Sequence, residues 1–141
     1  VYACGIVASI NFMDEGTIGG NMITPVVYPL PLVQGADLDF SFTWKIDGVA
    51  VDLSLYTAEA QVRNGIDGEN KILDLSSAGS TIILGGATGK ITLVATAAVT
   101  NLITGLETGD GVWDIELTLI SSGHVTNLMG GPVDFTRQVT K

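Results

Sequence analysis

The stretch 37-DLDFSFTWKI-46 decides the fold class of this chain. Apolar side chains occupy every second position from Leu38 to Ile46, and polar side chains stand between them. An alternation of period two places all the apolar residues on one face of a β-strand. Asp47-Gly48 follows directly and supplies the positive φ of a tight hairpin before Val49-Ala50-Val51. The stretch therefore predicts a half-buried strand followed by a hairpin.

The same alternation recurs along the rest of the chain, interrupted by glycine-containing turns. Helical spacing occurs once, over residues 96–103, where Thr96 can cap a short helix. About seven to nine short strands with frequent turns are typical of an antiparallel β-sandwich. The fold class predicted is therefore all-β, with one short helix. Further strands are predicted over residues 56–63, 71–75, 81–84, 90–95, 112–120, 124–129 and 132–139.

Composition limits the function classes. The chain has 141 residues, of which 46% are hydrophobic and 15% charged, which excludes intrinsic disorder and fits one folded domain. Its formal net charge of −9 repels phosphate, so neither nucleic acid nor an anionic membrane surface is expected as a partner. The single cysteine, Cys4, allows no intramolecular disulfide and no thiolate cage for zinc.

The N-terminal segment, up to Val33, differs from the remainder. The part up to Ile23 is apolar and rich in glycine, and Pro25, Pro29 and Pro31 follow within a few positions. Because each proline removes a donor from a sheet ladder, this segment cannot form a central strand. Residues 1–33 are therefore assigned to an extended N-terminal arm or edge strand, and residues 34–141 to the sandwich domain. The arm either forms the sandwich's own first strand or packs on a neighbouring subunit.

Catalytic chemistry is not expected from the titratable residues. The only histidine, His124, follows the Ser122-Gly123 turn, where side chains usually meet solvent, and the chain lacks a nucleophile elbow. Cys4 has no basic neighbour in sequence to lower its pKa. Residues 85–90, GGATGK, depart from the phosphate-loop pattern and precede a predicted strand rather than a helix, so they are interpreted as a turn. No catalytic residue and no cofactor is predicted.

Carboxylates recur in pairs two residues apart, which places both members of a pair on one strand face. A solvated strand face commonly carries such pairs, and glycosidase chemistry is the alternative. Residues 67–70, DGEN, offer oxygen ligands for calcium but lack the spacing of a dedicated calcium loop, so no metal site is predicted. Trp44 and Trp113 stand on apolar strand faces and are expected in the core. The pairs are Asp37/Asp39, Asp67/Glu69 and Asp114/Glu116.

A series of short motifs follows one order between Leu32 and the last residue: Gln34-Gly35-Ala36-Asp37, Phe40-Ser41-Phe42-Thr43-Trp44-Lys45, Val51-Asp52-Leu53-Ser54, Gln61-Val62-Arg63, Gly89-Lys90-Ile91-Thr92-Leu93, Trp113-Asp114-Ile115-Glu116-Leu117 and Gly131-Pro132-Val133. In these motifs and their spacing the chain resembles a small family of structural proteins of tailed bacteriophages. The resemblance implies an immunoglobulin-like β-sandwich in the virion, in a tail, baseplate or fibre component. It implies no catalytic residues. Residues 1–31 depart from the family pattern.

The function expected is a non-enzymatic virion protein that assembles with copies of itself, as a symmetric oligomer, and with other virion proteins. Affinity would come from main-chain hydrogen bonds, as when a strand is added to the edge of a neighbouring sheet. A capsid decoration protein on the head is the first alternative, and a receptor- or glycan-binding module at a tail tip is the second. The residues expected to contact a neighbouring subunit are Val1, Tyr2, Ile6, Val7, Ile10, Phe12, Met13, Val26, Val27, Tyr28, Leu30 and Leu32.

Overall fold

The fold is described by a computed structural model that covers residues 4–7, 26–46, 48–64, 71–103 and 111–137. It is mainly β, with strands in three sheets and one short helix, α1 (Ala97–Asn101). Single turns of 3-10 helix span Leu53–Leu55 and Gly86–Thr88. The strands are β1 (Cys4–Val7), β2 (Val26–Val27), β3 (Leu30–Val33), β4 (Leu38–Thr43), β5 (Lys45–Ile46), β6 (Val49–Ala50), β7 (Tyr56–Arg63), β8 (Lys71–Ser76), β9 (Ile82–Leu84), β10 (Lys90–Ala95), β11 (Val112–Leu119) and β12 (Val125–Thr136).

Two larger sheets carry the fold, and β5 and β6 form a small hairpin. The first sheet has the order β1-β4-β10-β9, and the second has the order β12-β11-β7-β8 with β2 and β3 along the outer side of β12. Most pairs are antiparallel, as predicted, but β1 runs parallel to β4, and β2 and β3 run parallel to β12. The prediction of an entirely antiparallel arrangement is therefore wrong at β1, β2 and β3, the strands of the N-terminal segment.

One hydrophobic core joins the two larger sheets. The Phe40 ring of β4 meets the Trp113 ring of β11 edge to face, with centroids 5.9 Å apart. Inward residues follow the alternation of the sequence, with Leu38, Phe40 and Phe42 buried on β4. Both tryptophans are buried, which confirms their predicted place in the core. The two larger sheets therefore share one core built from the residues that the period-two pattern selects.

The predicted strand over residues 37–46 is interrupted at Trp44. The Trp44 amide donates to the Gly89 carbonyl oxygen at 2.8 Å, and the Val51 amide donates to the Trp44 carbonyl oxygen at 3.0 Å. These bonds direct β5 and β6 away from the first sheet, and the two strands pair only with each other. The hairpin itself is confirmed, with Gly48 at φ +78°.

Gly89 is required by this interruption. Its φ is +71°, and a Cβ atom there would lie 2.6 Å from the Trp44 carbonyl oxygen. We expect Gly89→Ala to lower the free energy of unfolding by about 2 kcal/mol or more, because left-handed backbone costs other residues about 1–2 kcal/mol and the backbone contact adds to it. Chemical denaturation measures the change.

The matched control is Gly86→Ala in the same loop. Gly86 has φ +60°, but nothing lies within 4 Å of its added Cβ, so only the conformational cost of about 1–2 kcal/mol applies. Equal losses in the two variants would show that the approach to Trp44 has no energetic consequence.

The helix is shorter than the predicted range 96–103, and only part of its apolar spacing is buried. Thr96 caps it as expected, with its hydroxyl 3.4 Å from the Val99 amide. Val99 and Leu102, however, are exposed, whereas Thr100 and Ile103 are buried. A helix of five residues makes little more than one turn, so it has no long apolar stripe to orient it, and the polar Thr100 faces the domain.

None of the helices in the part of the chain that the structure describes has the length and the apolar character needed to span a bilayer.

The two last predicted strands form one strand, β12. Its register with β11 changes between Ile115 and Glu116, where Leu128 stands as an extra residue opposite them. Such a bulge turns the strand by one position, so that the consecutive residues Leu128 and Met129 are both buried. This merger lowers the number of strands, whereas the two-residue strands β2, β5 and β6 raise it, so the number differs from the seven to nine predicted.

Candidate assembly edges

Each larger sheet has one edge closed by a strand of the N-terminal segment and one edge that no other described strand covers. The first sheet runs from β1 to β9, and the second from β2 and β3 to β8. A sheet edge presents main-chain donors and acceptors that can pair with another strand. These four edges are therefore the part of the fold on which an assembly function through added strands would depend.

Strand β3 closes the edge of β12 within the same chain. Leu30 pairs with Val133 and Leu32 with Phe135, and the Gln34 amide extends this ladder to the carbonyl oxygen of Thr136 at 2.9 Å. Leu30 and Leu32 are 1% and 0% exposed. Their side chains therefore lie in the chain's own core, and a contact of these two residues with a neighbouring subunit stays a prediction.

Tyr28 is held at the same edge by its main chain. Its amide donates to the Gly130 carbonyl oxygen at 2.9 Å, and its own carbonyl oxygen accepts from the Trp113 indole Nε1 at 2.8 Å. A Cβ on Gly131 would lie 2.9 Å from the Tyr28 carbonyl oxygen, so glycine permits this close approach. The half-buried Tyr28 ring also packs on Phe40, with centroids 5.5 Å apart. Nothing in the local pattern around Trp113 indicates this contact.

A buried hydroxyl fixes the turn between β3 and β4. Thr100 is 0% exposed, and its Oγ1 donates to the Ala36 carbonyl oxygen at 2.8 Å and accepts from the Gly35 amide at 3.1 Å. Beside it, the Gln34 side-chain amide donates to the Ile103 carbonyl oxygen at 3.1 Å. Helix α1 is thereby attached to the turn that follows β3. Sequence reasoning missed Thr100, because a threonine in a short helix gives no signal of burial.

We expect Thr100→Val to destabilise the chain by about 2–3 kcal/mol, because valine keeps the shape but leaves the Gly35 amide and the Ala36 carbonyl oxygen without this partner. Thr100→Ser is the matched control, since serine keeps the hydroxyl and loses only a methyl group, at about 1 kcal/mol. Thermal and urea unfolding of the three proteins measure the difference. A serine variant as unstable as the valine variant would contradict the role given to the hydroxyl.

Strand β1 closes the edge of β4. Its register pairs Cys4 with Leu38, Gly5 with Asp39, Ile6 with Phe40 and Val7 with Ser41. This places two of the predicted contact residues, Ile6 and Val7, in an edge strand. Their role in contact with a neighbour stays a prediction.

The other predicted contact residues are divided between β2 and the part of the chain outside the description. Val26 and Val27 form β2, which pairs with Met129 and Gly130, and Val27 is 77% exposed. Val1, Tyr2, Ile10, Phe12 and Met13 lie outside the described residues, as does the loop 67–70 considered for calcium.

The edges formed by β8 and β9 carry features that hinder strand addition. On β8, Lys71 Nζ and the Asp74 carboxylate form an exposed ion pair at 3.1 Å. Strand β9 has only three residues, and Gly85 and Gly86 follow it. Charged side chains and shortness are devices by which natural sheets avoid edge-to-edge pairing.

The outer face of the second sheet is acidic. Glu59 of β7 and Glu116 of β11 are directly opposite each other and exposed, and like charges in this position are destabilising. Asp114 stands two residues from Glu116 and accepts a hydrogen bond from the Asn127 side-chain amide at 3.4 Å. The predicted carboxylate pair Asp114/Glu116 therefore lies on a partly solvated face, and this face disfavours stacking against a second acidic copy.

The remaining titratable residues show no convergent arrangement in the described ranges. No group of three or more histidine, cysteine, aspartate or glutamate side chains there could hold a metal ion. His124 is exposed beside its turn.

Hydrogen bonds from the Ser54 hydroxyl and amide lower the pKa of the exposed Asp52 carboxyl. Because the folded pKa is the lower one, the stabilisation from this cap is present above the unfolded pKa and disappears as the pH falls through the folded pKa.

Comparisons with known proteins bring out a structural likeness. No protein-family model and no curated protein matches the chain. Among solved structures, the chain is similar to the N-terminal domain of phage TP901-1 ORF48, with a TM-score of 0.44 and 10% sequence identity. The superposition covers 94% of this chain and 99% of that one.

Proposed function

We propose that this chain is a non-enzymatic structural protein of a bacteriophage virion, built into the tail, baseplate or fibre apparatus. The observation that carries the proposal is the parallel pairing of β1 with β4 and of β3 with β12. Both sheets accept an additional strand at an edge through main-chain hydrogen bonds. An assembly that uses such edges needs no conspicuous side-chain motif.

The charge distribution supports edges rather than faces as the contact between copies. The net charge of −9 and the opposed carboxylates Glu59 and Glu116 make the outer face of the second sheet repel its own copy. Main-chain hydrogen bonds at a sheet edge form between uncharged amide and carbonyl groups, so they do not require charged side chains of the two copies to meet. Modest edge contacts repeated in a symmetric particle then give durable attachment.

The proposal includes an immunoglobulin-like arrangement of the strands. What supports it is the strand order, because β4, β10 and β9 follow the order B-E-D of one immunoglobulin sheet, and β7, β11 and β12 supply the strands C, F and G of the other. The first strands provide the additional edges. The sequence resemblance to tailed-phage structural proteins points to the same class of domain.

Labelling of particles tests the function. Antibodies raised against the purified chain are applied to intact particles of the phage whose genome encodes it, and the particles are imaged by electron microscopy. Label on the tail or its tip is expected. Label confined to the head would replace the proposal by the capsid decoration alternative. Purified particles that bind no antibody and do not contain the protein would contradict a virion role.

A variant that lacks residues 1–25 tests the use of the edges. This deletion removes β1 but keeps β2 and β3, whose loss would open the core at Leu30 and Leu32. We expect a folded protein that is incorporated into particles less efficiently than the full chain. Unchanged incorporation of a variant with a normal unfolding transition would contradict a role for this segment.

A further inference from the structure

The strands that close the two edges differ in what holds them to their own chain. Strand β3 is fastened by the buried side chains of Leu30 and Leu32, and it continues directly into the turn that the Thr100 hydroxyl fixes. Strand β1, which ends at Val7, is separated from β2, which begins at Val26, by a long connection in sequence. Eighteen residues therefore lie between β1 and β2 in sequence, whereas only four lie between β3 and β4.

We propose that β1 of one copy pairs with the β4 edge of a second copy of this chain, in the register described within one chain. This inference rests on the proposed assembly function and names the edge and the occupant. The exchanged ladder is the same as the internal one, from Cys4 opposite Leu38 to Val7 opposite Ser41. Exchange of an identical element between protomers has a low energetic cost, because the contacts between copies are the same as those already formed within one copy.

The charge of the segment does not oppose this occupant. Residues 1–13 carry no Asp, Glu, Lys or Arg, so the exchanged strand itself adds no charge repulsion at the β4 edge, although both copies carry a net charge of −9. The acceptor edge is also the suitable one, since β4 is six residues long, whereas β9 has only three. The exposed ion pair on β8 hinders the addition of a strand at the open edge of the second sheet.

The length of the connection is sufficient for both pairings. The chain between Val7 and Val26 reaches at most about 60 Å when extended. A compact domain of 141 residues has a radius of gyration of about 14 Å. By its number of residues alone, this connection is long enough for β1 to reach either its own β4 or the β4 of an adjacent copy, and the local concentration of copies would decide between the two pairings.

A pair of single-cysteine chains tests the exchange. One chain carries Cys4→Ser with Gly5→Cys, and the other carries Cys4→Ser with Asp39→Cys and a tag that changes its mass. Gly5 and Asp39 are register partners, and Asp39 is exposed. Neighbouring strands are about 4.8 Å apart, within the Cα separation that a disulfide spans. The two chains are unfolded together, refolded at high concentration and oxidised.

We expect a disulfide-linked heterodimer on a non-reducing gel, at a yield about tenfold above a control in which Thr57→Cys replaces Asp39→Cys. Thr57 is exposed on β7, in the other sheet, and has no register contact with β1. A heterodimer yield no higher than that of the control would overturn the proposal.

A chain that carries Cys4→Ser, Gly5→Cys and Asp39→Cys together shows whether the two positions can be linked at all. An intramolecular disulfide at high dilution that gives way to intermolecular linkage at high concentration supports exchange. Linkage that stays intramolecular at every concentration, or no linkage at all, overturns it. Particle labelling remains independent, since a chain found on particles without exchanged strands would leave the proposed function standing.

Discussion

Alanine in place of Phe40 is expected to lower the free energy of unfolding by about 3–5 kcal/mol, which is a large part of the roughly 5–15 kcal/mol typical of a domain. The Phe40 ring is fully buried and lies at the centre of an aromatic cluster. Its centroid is 5.5 Å from that of Tyr28 and 5.9 Å from those of Phe42 and Trp113. The substitution therefore creates a cavity where both sheets and the chain segment before β3 meet.

Urea denaturation of the variant and the parent measures this loss. Ile83→Ala in the same sheet is the control, because Ile83 is 53% exposed and its truncation should change stability by about 0.5 kcal/mol or less. A Phe40 variant that is no less stable than the Ile83 variant would show that the aromatic cluster does not hold the sheets together.

The strands themselves follow from local sequence. The alternation in Tyr56–Arg63 and in Val112–Leu119 selects one face, and that face is the buried one, with Ala58 and Ile115 in the core. A period of two is a property of neighbouring residues, so it can be recognised without knowledge of the partner strand. Turn signals are less decisive, because the predicted strands 124–129 and 132–139 leave an interruption at residues 130–131, where the structure has the continuous strand β12.

Strand direction and pairing could not be predicted in the same way. The parallel pairs of β1 with β4 and of β3 with β12 join residues that are far apart in sequence. No local pattern encodes which edge is available or in which direction it is occupied. The prolines of the first segment correctly excluded a central strand, since Pro29 and Pro31 lie beside and within the edge strand β3.

Polar positions were the other source of error. The polar Thr100 is buried and the apolar Leu102 is exposed, the reverse of what their side chains suggest. Helix α1 is too short for an apolar stripe to determine its orientation. Two hydrogen bonds of the Thr100 hydroxyl to the turn at Gly35 and Ala36 determine which side faces the domain. Such bonds join parts of the chain that are distant in sequence, so they are visible only in the folded chain.

Leu32→Ala is expected to destabilise the isolated chain by about 2–5 kcal/mol. This residue separates the two interpretations of the N-terminal segment, an internal strand and a contact between subunits. In the structure Leu32 is 0% exposed opposite Phe135, so its truncation leaves a cavity inside one copy. Were it instead a contact to a neighbouring subunit, the variant would keep the stability of the monomer and lose only association.

Denaturation at several protein concentrations, together with light scattering, distinguishes the two results. A loss of stability that does not depend on concentration is expected. Val27→Ala is the control from the same segment, because Val27 is 77% exposed and its truncation should cost about 0.5 kcal/mol or less. A Leu32 variant with parental stability but weaker association would place β3, and with it the whole arm, between subunits.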